Sequence, residues 1–336
     1  MPEPTPGPTP TVPTPAPLPV AEVAALGERV LAEVGTAVVG MRGALRTALA
    51  TILAGGHVLF EDVPGLGKTL AARSLASALG LDFARLQCTP DLLPADITGS
   101  SVFDPATRTF EFRPGPVFTG LFLADEINRT APKTQSALLE AMAERQVSIE
   151  GTSRPLPRPF HVLATSNPVE YEGTYPLPEA QLDRFMVRLA VGYPDAAQEA
   201  EVLARRLARR QEAAPVQRVV DPATVLAMQA GTEAVGVDPD VVRYCVDLAA
   251  ATRGHRDLEV GASPRGSQNL VLLARAVAVL DGRDYVLPED VKQVAVPVLA
   301  HRLTLTPTAW AAAARPEDVV TELLRTVPTP ATVRAS

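Results

Sequence analysis

The sequence predicts an α/β fold, a parallel sheet covered by helices and followed by a C-terminal helical domain. Three observations predict it. The apolar run Val58-Leu59-Phe60 passes through a Pro/Gly turn into Gly67-Lys68-Thr69 and then into a helical run that stops at Gly80. That order is strand, glycine loop and helix, the arrangement of a phosphate-binding P-loop. Residues 121–126, Leu-Phe-Leu-Ala-Asp-Glu, are a second apolar run and end in two carboxylates. Strands buried in open α/β sheets carry ligand-binding groups at that end. From Asp195 onward, marked helix starts recur.

The elements follow in order. Residues 1–19 alternate proline with small residues. Such a tract forms neither helix nor ladder, so it predicts an extended, solvated tail. A helical pattern begins near Val20, with Val23, Leu26, Val30 and Leu31 on one face, and Val38-Val39-Gly40 separates it from a second helix over residues 41–54. The glycine turn then follows the first strand. Free N–H groups at a helix N-terminus, together with the helix dipole, favour an anion there. Gly65 and Gly67 let the backbone curl around phosphate oxygens without a Cβ in the way. Lys68 would neutralise β and γ phosphates, and Thr69 would offer its hydroxyl to Mg²⁺. Asp62 stands where G-x-x-x-x-G-K-[ST] has its first glycine.

Phe83 to Leu86 predict the next strand. Val102/Phe103 and Phe110/Phe112 flank an Asp-Pro-Ala-Thr turn and predict a hairpin inserted into the core. At the end of the run from 121 to 126, Asp125 would hold Mg²⁺ through water and Glu126 would polarise the attacking water. A helix over 133–146 and a second hairpin over 147–158 precede the buried strand His161 to Thr165, which ends at Ser166-Asn167. Asn167 is placed to hold the attacking water or to sense a γ-phosphate. Arg184, in a helical Glu-Ala-Gln-Leu-Asp-Arg-Phe stretch, is a candidate arginine finger.

The helices beyond have clear starts. Asp195 has Gln198 at the capping-box position, and Asp221-Pro222, Asp238-Pro239 and Ser263-Pro264 each pair an N-cap with proline at the first helical position. Ser263-Pro264 puts Arg265 in a first turn, where a cation opposes the helix dipole and calls for an anion partner.

Composition bounds the function. The 336 residues suggest roughly two domains. A net charge of -7 argues against a broad nucleic-acid or anionic-membrane surface. Cys88 and Cys245 form no paired motif, which points to a reducing cytosol, and the four histidines show no metal-ligand spacing. No run approaches the ~18 apolar residues that span a bilayer, and Arg275 interrupts the best candidate. No basic-then-apolar signal pattern opens the chain.

The segments EDVPGLGKT, LFLADEINR, LATSNPVEYEGTYPLPEAQLDRF and GASPRGS, in that order, closely resemble the MoxR family of AAA+ ATPases. The likeness spans roughly residues 20–327. It implies a P-loop ATPase domain over 20–194 and a helical lid over 195–328, between tails at 1–19 and 329–336. By the same resemblance, Gly40, Val63, Pro64, Gly65, Leu66, Gly67, Lys68, Thr69 and Leu70 bind nucleotide. Thr69 and Asp125 hold Mg²⁺, and Asp125 with Glu126 forms Walker B. Asn167 is similar to sensor 1, Arg184 to the arginine finger and Arg265 to sensor 2. Residues 89–118 are similar to a helix-2 insert and 147–158 to a pre-sensor-1 hairpin. The family implies ATP hydrolysis to ADP and phosphate, and a cytoplasmic ring, commonly a hexamer. It also implies a von Willebrand factor A-domain partner and a protein client in a complex being matured, with no membrane insertion and no nucleic acid.

Three rivals remain at this point. A metal-chelatase ATPase subunit shares the inserts. A DNA-acting AAA+ motor or activator is suggested by Gly-Pro-Val-Phe-Thr-Gly at 115–120, which lies just before the acid-ended strand and lacks the final alanine of the activator loop. A non-hydrolysing binding module is opposed by Glu126 beside Asp125. Stimulation by DNA would favour the motor, and co-purification with a chelatase the first rival.

Overall fold

The computed structural model describes residues 15–168, 174–211 and 214–331. Helices α1 (Val20–Ala37) and α2 (Arg42–Leu53) precede strand β1 (Val58–Glu61), and the glycine turn leads into α3 (Lys68–Ala78). Strand β2 (Phe83–Gln87) and a short α4 (Pro94–Thr98) lead to the hairpin β3 (Gly99–Asp104) and β4 (Thr109–Pro114). Next come β5 (Leu121–Asp125), α5 (Pro132–Glu144), the hairpin β6 (Gln146–Ile149) and β7 (Thr152–Pro155), then β8 (His161–Ser166). A single turn, α6 (Glu179–Leu182), precedes β9 (Val187–Leu189). The C-terminal part holds α7 (Ala196–Arg209), α8 (Pro222–Glu233), α9 (Pro239–Arg253), β10 (Leu258–Val260) and α10 (Pro264–Leu280). It ends with α11 (Pro288–Leu299), β11 (Thr304–Leu305), α12 (Pro307–Ala311) and α13 (Pro316–Thr326).

The main sheet has the order β2-β5-β8-β1-β9 and every neighbouring pair is parallel. Its central strands read as unbroken apolar runs because both faces are covered. Alternation still sorts their side chains. Val58, Phe60, Leu121, Leu123 and Leu163 join one apolar cluster, with α1, α2 and α3. Leu59, Phe122, Ala124, Val162 and Ala164 join the other, with Leu138 and Leu139 of α5. Strand β9 escapes the sequence reading because it has only three residues and a charge at its centre. Arg188 is tolerated there because it pairs with Glu61 at 2.9 Å and Glu317 at 2.8 Å.

Three expectations need correction. The hairpin of β3 and β4 stands off the main sheet as its own ladder, with Phe110 71% exposed, and is not inserted among the core strands. Packing begins before Val20: Leu18 lies against the core and its N–H donates to the Ala227 carbonyl at 3.2 Å. Leu18 is therefore docked, while Ala16, Pro17 and Pro19 around it stay exposed as expected. Thirdly, the C-terminal helices do not own a separate core. Leu248, Leu273 and Val298 belong to the same cluster as Val23, Leu49 and Leu75. The reason is that α1 and α2 bury apolar faces that the sheet does not cover, and α10 lies so close that a Cβ on Gly27 would collide with Leu280.

At the N-terminal end of the strands two histidines are buried in the core. Val162 N–H donates to His57 Nδ1 at 2.9 Å, and His57 Nε2 lies 3.3 Å from the Met142 carbonyl. His161 Nδ1 lies 2.9 Å from the Gly56 carbonyl. Burial pushes the His57 pKa down to about 3 and that of His161 to about 4, so both stay neutral. No helix among the described residues is long and apolar enough to cross a membrane.

Candidate active site

The opposite, C-terminal end of the sheet opens into a cavity of about 240 Å³. Its walls come from four strand ends, the position at which open parallel sheets bind ligands. The turn after β1 gives Pro64, Gly65, Gly67, Lys68 and Thr69; β5 gives Asp125 and Glu126; β8 gives Thr165, Ser166 and Asn167; β2 gives Arg85 and Gln87.

Gly65 and Gly67 take φ values of +86° and +82°, where other residues are strained. A Cβ at either would point into open space, so the two glycines leave a cradle clear. Helix α3 starts at Gly67 with no side-chain cap, which leaves its first N–H groups facing that cradle. Lys68 is buried, and its Nζ donates to the carbonyls of Asp62 at 2.7 Å and Val63 at 2.9 Å. Burial pulls the ammonium below the usual lysine range, while Asp62, Asp125 and Glu126 pull it back up.

The carboxylates are tightly held. Asp125 Oδ2 accepts the Thr69 hydroxyl at 3.2 Å and Oδ1 accepts the Thr165 hydroxyl at 2.7 Å. Thr165 Oγ1 in turn accepts the Glu126 N–H at 2.8 Å. Glu126 adopts the left-handed conformation, φ 60° and ψ 51°, which costs a non-glycine residue on the order of 1–2 kcal/mol. That twist turns Glu126 out of the strand direction so that both acids face the cavity. Gln87 Nε2 donates to Glu126 Oε2 at 2.8 Å, and Arg129 Nε lies 3.1 Å from the same oxygen. A clear glycine cradle, a lysine and two hard oxygen donors, Thr69 Oγ1 and Asp125 Oδ2, fit a phosphate chain with Mg²⁺.

Not every residue singled out in the sequence reaches this cavity. The Val63 carbonyl holds Lys68, but Leu66 and Leu70 do not line the cavity, and Leu70 is exposed. Gly40 does not line it either; it sits in the turn between α1 and α2, where a Cβ would crowd the Gln198 side chain at the start of α7.

Arg184 and Arg265 lie at the other end of the sheet. Arg184 sits in the turn after α6 rather than on a helix, three residues before Val187, which is in register with Val58 at the start of β1. Met186 N–H bonds the His57 carbonyl, also before β1 begins. The length of β1, about 13 Å, therefore separates Arg184 from its own glycine loop. Arg265 finds the anion its helix position calls for in Asp183, at 3.9 Å. Asp183 also accepts Arg302 Nε at 2.7 Å and the Ser263 hydroxyl at 3.2 Å. The two arginines thus flank one anchored residue.

The sequence reading missed Arg85, Gln87, Arg129 and Thr165. Alternation along β2 puts Arg85 and Gln87 on one face, and that signal would have found them had the strand been placed beside β5.

Residues 57–187 match the ATPase family associated with various cellular activities (AAA), and residues 250–323 match the AAA lid domain. The chain is similar to YeaC of Bacillus subtilis, an uncharacterised protein, at 45% identity over 90% of this chain and 94% of YeaC. It is 43% identical to Chaperone MoxR1 of Mycobacterium tuberculosis over 92% of this chain and 84% of that protein. Protein MoxR of Paracoccus denitrificans is 36% identical, covering 88% of this chain and 93% of its own. A crystal structure of a candidate ATPase from Cytophaga hutchinsonii superposes with a TM-score of 0.87 at 42% identity, over 93% of this chain and 97% of that one.

Proposed function

The chain belongs to the MoxR family of AAA+ ATPases, and from that premise we propose that it hydrolyses ATP to ADP and phosphate and uses the turnover to remodel a protein complex. The observation that carries the reading is the meeting of Lys68, Thr69, Asp125 and Glu126 in one cavity beside an open glycine cradle. In this reading residues 20–194 are the ATPase domain and 195–328 the lid, joined by a shared core.

The residues divide the work. Backbone N–H groups of the glycine loop take phosphate oxygens, and Lys68 leaves its two carbonyls for the β and γ phosphates. Thr69 and Asp125 would hold Mg²⁺, which when bound neutralises charge on the phosphates. Glu126 draws the proton from the attacking water, and Asn167 orients that water. Oxygen then bonds to the γ phosphorus as the bond to the ADP oxygen breaks, and Glu126 holds the proton. Arg184, with Arg265 beside it, serves the site of a neighbouring copy in a ring, because its own site lies at the far end of β1. A hexamer, a von Willebrand factor A-domain partner and a client complex awaiting a metal or cofactor belong to the same proposal. The name of the mycobacterial relative, a chaperone, supports the remodelling role. The buried free thiols Cys88 and Cys245 fit a reducing cytoplasm.

Glu126→Gln tests the chemistry. The amide keeps the shape but cannot take a proton, so ATP should bind as before while kcat falls by about 10²-fold or more. Calorimetry and phosphate release measure the two. A normal kcat removes Glu126 from the mechanism.

A further inference from the structure

Arg85 is a second cation inside the cavity, and the reaction as described gives it nothing to do. It lies on the edge strand β2, two residues before Gln87, so both side chains leave the same face. The register puts Gln87 beside Asp125. Arg85 Nε and Nη2 lie 2.9 Å and 2.8 Å from Asp125 Oδ2, the same oxygen that takes the Thr69 hydroxyl. Its Nη2 also donates to Gln87 Oε1 at 2.7 Å.

This guanidinium is therefore seated on the carboxylate oxygen next to Thr69, where a hydrated Mg²⁺ would be held. A guanidinium and a metal cation repel each other at one oxygen, so Arg85 must give way when the metal is bound. It is free to do so. The side chain is 42% exposed, on an edge strand at the cavity wall. Once off Asp125, it needs another anion. Glu126 already has Gln87 and Arg129. The terminal phosphate of a bound nucleotide offers paired oxygens that suit a planar guanidinium.

We propose that Arg85 exchanges partners, from Asp125 to the γ-phosphate of a nucleoside triphosphate bound in the same chain, and so makes this cavity distinguish triphosphate from diphosphate. The inference rests on the nucleotide reading of the cavity. It adds a reader of the γ-phosphate within the chain to those supplied by a neighbour. Because Arg85 also grips Gln87, the exchange loosens the residue that holds Glu126, which ties the orientation of the base to the presence of the third phosphate.

Calorimetry with Mg²⁺–ADP and with the Mg²⁺ complex of the non-hydrolysable β,γ-imido analogue of ATP tests this on the full chain. The proteins are the unaltered chain, Arg85→Gln, Arg85→Lys and Lys68→Ala, each with a melting curve. Arg85→Gln should bind the triphosphate analogue about tenfold or more weakly, the scale of one lost charge-assisted bond. ADP affinity should hold or rise, because Asp125 no longer has a guanidinium to release. Arg85→Lys, which keeps the charge but not the paired geometry, should fall between. Equal weakening of both ligands, or weakening of neither, overturns the proposal. Equal weakening with a lower melting temperature identifies Arg85 as a tie between β2 and β5. Lys68→Ala separates the two levels. If it binds both ligands normally, the phosphate reading fails and the Arg85 proposal falls with it. If it loses both while Arg85→Gln shows no selectivity, only the Arg85 proposal fails.

Discussion

Asp62 occupies the position where the phosphate-loop motif begins with glycine, and its carboxylate explains the exchange. Oδ1 accepts the Val63 N–H at 2.8 Å, while Oδ2 accepts the N–H groups of Val191 and Gly192, both at 2.7 Å. Its backbone carbonyl holds Lys68. One residue therefore ties the glycine loop to the segment that leaves β9 for α7. Asp62→Asn keeps the size but replaces one acceptor oxygen with a donor that faces N–H groups. It should destabilise the fold by about 0.5–1.5 kcal/mol, the scale of a hydrogen bond lost at a partly exposed site. Urea unfolding measures this; an unchanged midpoint would mean that water replaces the carboxylate at no cost. The sequence showed Asp62 as a departure from a motif but could not show its partners, which are about 130 residues away along the chain. Lys68, Thr69, Asp125 and Glu126 were legible because their placement depends only on local order, strand then turn then helix, or strand then acids. Arg85 and Gln87 were not, because their role depends on which strand lies beside β2.

At the scale of elements, the N-terminal end of the sheet is held by buried neutral histidines, and this gives the fold a pH dependence. His57 and His161 have pKa values near 3 and 4 in the folded chain, against 6.5 when exposed. His301, packed beside Arg302, is also pushed well below 6.5. As pH falls below 6.5 the unfolded chain binds protons that the folded chain refuses. The stability is therefore complete above that value and is lost toward pH 4 and below. The slope should reach up to about 1.4 kcal/mol per pH unit for each histidine. Urea midpoints between pH 6.5 and 5, above the range in which carboxylates dominate, should fall steadily, and Asn at position 161 should flatten the fall. A midpoint independent of pH across that window would contradict the buried neutral assignment. The strands these histidines anchor were legible as apolar runs. The histidines were not assigned to the core, because a lone histidine has no pattern until the strands on either side are paired. The same limit hid β9, too short to show a period and interrupted by an arginine whose partners are on β1 and α13.

At the scale of the whole molecule, the groups proposed for catalysis are divided between the two ends of one sheet. The glycine loop and the acids lie at the C-terminal end. Arg184 and Arg265 lie at the other, set by Asp183 and by Arg302, whose guanidinium also bonds the carbonyls of Asp183, Phe185 and Met186. The lid thus fixes the turn that carries Arg184. In the proposed reading the site is complete only between two copies, and mixing two inactive variants tests that directly. Lys68→Ala chains should not hold ATP but carry an intact Arg184. Arg184→Ala chains should hold ATP but hydrolyse it about 10³-fold or more slowly, by analogy with other arginine fingers. Labelled chains first establish that the two variants exchange into common assemblies. Phosphate release from those mixed assemblies should then rise well above that of either variant alone, because some interfaces pair an intact loop with an intact arginine. Mixed assemblies that stay as inactive as their parents, or Arg184→Ala chains that hydrolyse ATP at the normal rate when assembled, would contradict the shared site.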